Sequence, residues 1–105
     1  MKSDPQMRAF TMTEGTPTVT FVSEQVQRML PYHSFVRGRF EGGRITLHFG
    51  DLLVIVDGES LEELWEGLQL QDVRIVRSLG AASTEAGECS IKRIAIRNAA
   101  ESGVP

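Results

Sequence analysis

The clearest pattern in the chain is a two-residue alternation of apolar and polar positions from Val36 to Phe49, interrupted by Gly42-Gly43 and followed, after Gly50-Asp51, by the apolar run 52–56. Gly42-Gly43 separates Phe35–Glu41 from Arg44–Phe49, and paired glycines suit the positive φ values of a two-residue hairpin turn. Such a turn fixes register. It sets Glu41 opposite Arg44, Phe40 opposite Ile45, Arg39 opposite Thr46, Gly38 opposite Leu47, Arg37 opposite His48 and Val36 opposite Phe49. Opposed residues share a face, so one side carries Val36, Gly38, Phe40, Ile45, Leu47 and Phe49, and the other Arg37, Arg39, Glu41, Arg44, Thr46 and His48. A slip of one residue would mix the two sets.

Gly50-Asp51 predicts a second tight turn that opposes Phe49 with Leu52, Leu47 with Val54 and Ile45 with Val56. The same register sets Leu53 opposite His48, Ile55 opposite Thr46 and Asp57 opposite Arg44. The third strand is therefore apolar on both sides. Asp57-Gly58 is expected to end it. Ser60-Leu61-Glu62-Glu63 reads as a capping box, followed by Leu61, Leu64, Trp65 and Leu68 at helical spacing, with Gly67 a weak spot and an end near Gln69. Val73–Arg77 predicts a fourth strand, Ser78 to Glu88 a loop, and Ile91–Arg97 a fifth strand with Ile94 and Ile96 on one side.

The N-terminal part is less regular. Residues 1–16 read as a mobile arm and Thr18–Val22 as a short strand. Ser23 is expected to cap a helix to Leu30, with Val26, Met29 and Leu30 on one face and Pro31 enforcing the stop. Residues 17–98 are expected to form a single α+β domain and 99–105 a frayed tail. The predicted fold is an antiparallel sheet of about five strands, a β-β-β-α-β-β core, packed on one main helix. The helix covers the Val36/Phe40/Leu47/Val54 side, with Gly38 leaving room for a large neighbour such as Trp65. The alternative is a bent sheet forming a partly open barrel with the helix plugging one end.

Composition narrows function by exclusion. The 105 residues carry a formal net charge of −3, which argues against generalised attraction to nucleic acid or membranes. Cys89 is the single cysteine, so no intramolecular disulfide forms and a reducing, cytoplasmic setting is expected. Neither a signal-peptide core nor a membrane-spanning apolar run is present. Charge is segregated by segment: residues 51–72 hold Asp51, Asp57, Glu59, Glu62, Glu63, Glu66 and Asp72 with no base. Arginines gather on either side of that stretch.

Candidate chemistry is sparse. His33 and His48 lack converging ligands for a metal, and Arg37 beside His48 disfavours a cation. Cys89 would need a base and an oxyanion site to act as a nucleophile, and no cysteine motif surrounds it. The glycines match neither phosphate-binding spacing, and Glu59, Glu62, Glu63 and Glu66 are explained by capping and solvation. No catalytic, metal or cofactor residue is assigned, and an enzyme is not expected.

The expected function is a non-enzymatic protein-interaction or oligomerisation module, pairing with itself as a dimer or with another protein. The candidate interface is Phe35, Arg37, Arg39, His48, Leu53 and Ile55, because one helix cannot cover both faces of the sheet and uncovered apolar patches mark interfaces. The alternative is an accessory nucleic-acid-binding domain using a basic surface of Arg74, Arg77, Lys92, Arg93 and Arg97 with the hairpin arginines, although single-strand binding usually adds aromatic stacking.

Overall fold

The computed structural model describes residues 9–24, 26–78 and 89–98. Eight strands and one helix follow in the order β1 (Phe10–Met12), β2 (Thr18–Val22), β3 (Gln27–Pro31), β4 (Phe35–Glu41), β5 (Arg44–Phe49), β6 (Leu52–Glu59), α1 (Glu62–Gln69), β7 (Val73–Arg77) and β8 (Ser90–Asn98). One turn of 3-10 helix, Tyr32–Ser34, links β3 to β4.

The architecture is α+β, but it holds two four-stranded sheets where one sheet of about five strands was expected. The first runs β1-β7-β2-β3 and the second β4-β5-β6-β8; neither closes into a barrel. Val73–Arg77 is responsible for the difference. The far side of β6 is taken by β8, which sets Ile96 beside Val54 and Ile94 beside Val56. That leaves β7 to the other layer, where it lies antiparallel to β1 and parallel to β2.

The meander obeys its turns. Gly42 and Gly43 adopt φ of 59° and 76°, and Gly50 adopts 56°. Arg44↔Asp57, Ile45↔Val56, Thr46↔Ile55, Leu47↔Val54, His48↔Leu53 and Phe49↔Leu52 all pair as their spacing requires. The first hairpin departs at one place: a bulge sets Phe35, not Val36, opposite Phe49. Phe35 thereby turns onto the apolar side, its ring 5.3 Å from that of Phe49, and Val36 is left 63% exposed.

The apolar side of the meander is covered by the first sheet as well as by the helix. Phe21 of β2 meets Phe49 edge-on at 6.2 Å, and Val19, Phe21, Val73 and Val76 join Ile45, Leu47, Val54 and Val56 in one core. An eight-residue helix alone could not bury that area, so strands recruited from both ends of the chain do it. Residues 9–16, read from sequence as part of a mobile arm, contribute β1 and bury Ala9, Phe10 and Thr16. Residues 1–8, 79–88 and 99–105 lie outside the described residues, and with them the rest of the arm, most of the expected loop and the tail.

Three local expectations are corrected. The Ser23–Leu30 helix is a β-hairpin: the Ser23 amide donates to the Val26 carbonyl (2.8 Å), and the Ser23 hydroxyl lies 3.3 Å from the Val26 amide, which donates to it. As a strand, β3 gains a full antiparallel partner in β2. Asp57-Gly58 bends β6 at a bulge without ending it. Because the strand runs on to Glu59, Ser60 is drawn into a left-handed turn at φ 56°, Leu61 becomes the N-cap, and no side chain caps α1.

Candidate functional site: the outer face of the second sheet

Cross-strand register builds this surface directly. On the side of the second sheet away from the core, the pairings align Glu41, Arg44, Asp57 and Arg93 in one row across β4, β5, β6 and β8. The next row is Arg39, Thr46, Ile55 and Ala95, and the third Arg37, His48, Leu53 and Arg97. Leu53, Ile55 and Ala95 thus form a partly exposed apolar strip along β6 and β8, ringed by guanidinium groups. No described element lies over it.

Five arginines face two carboxylates here. Arg39 Nε pairs with Glu41 Oε1 at 3.2 Å, and Arg44 Nε with Asp57 Oδ1 at 2.7 Å. The Asp57 contact raises the Arg44 pKa further, mainly through its hydrogen bond. Arg37, Arg93 and Arg97 form no ion pair among the described residues. Their charge is available to a partner.

Most of the interface expected from sequence is therefore on one surface: Arg37, Arg39, His48, Leu53 and Ile55 are assembled together, and Phe35 alone is withdrawn to the core side by its bulge. Arg44, Arg93, Ala95 and Arg97 belong to the same face. Its extension by Arg93 and Arg97 follows from β8 pairing with β6, which the spacing of the chain does not encode.

The expected basic surface of Arg74, Arg77, Lys92, Arg93 and Arg97 is split. Arg74 and Arg77 lie on β7 in the first sheet, where Arg77 donates to the Thr11 hydroxyl at 3.2 Å. Lys92 pairs with Glu59 at 3.2 Å. Only Arg93 and Arg97 stand on the arginine face.

The acidic side chains of α1 lie on the opposite side of the second sheet. Helix α1 packs there through Trp65, whose ring lies 5.8 Å from Phe40, and it exposes Glu62, Glu63 and Glu66. Cys89 sits against this helix. Burial, then the charges of Glu63 and Glu62, push its thiol up to about 11, the reverse of what a nucleophile needs.

Among the described residues no group of histidine, cysteine and carboxylate side chains is placed to hold a metal ion, and no helix is long and apolar enough to cross a membrane. Comparison with protein-family models, curated proteins and solved structures gave no match.

Proposed function

We propose that the chain is a non-enzymatic interaction and oligomerisation module whose arginine face docks an acidic protein surface. The observation that carries this reading is the Leu53–Ile55–Ala95 strip set among Arg37, Arg93 and Arg97, which form no ion pairs among the described residues. An apolar centre supplies affinity, and surrounding unpaired charge supplies selectivity and rapid encounter. Two arginine faces repel each other. The complementary surface within the chain is the start of α1, with Glu59, Glu62 and Glu63, so copies would meet head to tail. With Phe35 turned inward, the face carries no phenylalanine, tyrosine or tryptophan among the described residues, and His48 as its one ring, which weighs against stacking on single-stranded nucleic acid.

Light scattering across a salt series tests this. At about 20 mM salt the mass should exceed its high-salt value and fall back to it as screening shortens electrostatic reach to about 3 Å near 1 M. Arg97→Glu should abolish this salt-dependent gain in mass. Mixing that variant with a Glu62→Arg/Glu63→Arg chain should restore it, because one chain keeps the arginine face and the other the acidic start of α1. A mass that does not change with salt, with retention of single-stranded RNA instead, sinks the reading.

A further inference from the structure

We infer that β3 forms a symmetric, hydrogen-bonded contact with the β3 of a second copy. This contact does not rest on the arginine face.

Strand β3 is a terminal strand of the first sheet. Its pairing with β2 determines which backbone groups remain free. The Ser23 amide donates to the Val26 carbonyl and the Tyr32 amide to the Pro17 carbonyl. Hydrogen-bonded pairs alternate along an antiparallel ladder, so Phe21/Arg28 and Val19/Leu30 are the bonded pairs between them. Gln27, Met29 and Pro31 consequently direct their backbone groups away from β2, toward the open edge.

Those three positions are self-complementary. A twofold axis at Met29 sets Met29 opposite Met29 and Gln27 opposite the partner's Pro31. Each Met29 amide meets the other Met29 carbonyl, and each Gln27 amide meets a Pro31 carbonyl. The amide that proline lacks is at the outermost position of this ladder. The one charged side chain of β3, Arg28, falls opposite Leu30 and so avoids its own copy.

The remaining edges are shorter, bulged or more heavily charged than β3, whose own defences are Arg28 and Pro31. β1 is three residues long, β4 begins with a bulge and carries Arg37 and Arg39, and β8 carries Lys92, Arg93 and Arg97. Met29 is 65% exposed. It ends an uncharged row of Thr11, Ile75, Thr20 and Met29 across the outer side of the first sheet. Joining two β3 strands continues that row without a break and shields both methionines.

The test combines light scattering with cross-linking on the full chain. At about 1 M salt, where charge pairing through the arginine face is screened, the expected mass approaches two chains of 11.6 kDa. Met29→Pro removes only an outward amide and should return a single-chain mass; Met29→Lys, which sets like charges across the axis, should do the same. In a Cys89→Ser background, Met29→Cys should give a disulfide-linked dimer on mild oxidation, because bonded antiparallel pairs hold Cα atoms about 5.5 Å apart, within disulfide reach. Gln27→Cys should not, since its copies lie about 13 Å apart along the strands. A single-chain mass throughout, equal cross-linking at both positions, or salt-sensitive association untouched by Met29→Pro would each overturn the proposal. The last outcome points to the arginine face instead.

Discussion

Trp65 lies against the backbone of Gly38: its Cζ3 is 3.2 Å from the point a Cβ on that glycine would occupy. Leu47 Cδ2 and Phe35 Cζ lie at 3.1 Å and 3.2 Å from the same point. All three are outer atoms of side chains and can yield by a few tenths of an ångström. Gly38→Ala should therefore destabilise by only about 1 kcal/mol, with overpacking partly offset by the loss of glycine's backbone entropy. Gly38→Val should cost about 3 kcal/mol. Denaturant midpoints followed by fluorescence of Trp65, the single tryptophan, check both values and report the ring's environment directly.

Gly67 gives the opposite of what helix propensity suggests. Alanine at an interior helical position is ordinarily worth about 1 kcal/mol over glycine. Here its Cβ would lie 2.7 Å from Val73 Cγ2 and 2.8 Å from Met12 Sδ. Gly67→Ala should destabilise by about 1–2 kcal/mol. Adding Met12→Ala should recover part of the loss, because the flexible thioether gives way while β-branched Val73 does not. A thermal melt of the two variants decides it, and a stabilised Gly67→Ala chain would contradict the packing described.

Tyr32 makes stability pH-dependent in the alkaline range. Its hydroxyl donates to the Val73 carbonyl at 2.5 Å, and burial raises its pKa far above the ordinary 10.0. The unfolded chain loses this proton near pH 10 while the folded chain keeps it. Above that pH the unfolded state binds fewer protons, and stability falls by up to about 1.4 kcal/mol per pH unit. Tyr32→Phe should remove this slope and cost about 1–2 kcal/mol at neutral pH through the unpaired carbonyl. Melting temperatures from about pH 8 to pH 11 test both statements.

Cys89 should resist alkylation. A thiol raised from 9.0 to about 11 holds roughly a hundredfold less thiolate near pH 8, and the thiolate is the reacting form. Mass spectrometry after iodoacetamide treatment should show slow modification of the folded chain, faster for Glu63→Gln and fast on unfolding. Prompt reaction at neutral pH would contradict this placement of Cys89.

The three-strand meander of the second sheet was legible because Gly42-Gly43 and Gly50-Asp51 are local signals and the alternation between them has one solution. Gly38 beside Trp65 followed from the same register. The first sheet was not legible, because its pairings depend on residues far apart in the chain: Thr20 meets Ile75, and Phe10 meets Val76. β1 was hidden in a threonine-rich stretch. β3 was hidden because Val26, Met29 and Leu30 match a helical spacing by coincidence, and because serine serves a turn as readily as a helix cap. The bulge at Phe35 and Val36 reassigns two neighbouring apolar residues between faces, a choice that their own chemistry leaves even. On the arginine face, the part contributed by β4, β5 and β6 was readable; the part from β8 required knowing which edge that strand joins.

The parallel contact between β2 and β7 also sets an order for biosynthesis. The three-strand meander is complete once Glu59 has left the ribosome, and its closing loops are two residues long. The first layer must wait until Arg77 has emerged, because β1 and the β2–β3 hairpin are joined only through β7. Until then, the greasy side of a finished meander stands open on the nascent chain. That interval is when the growing polypeptide most needs a chaperone.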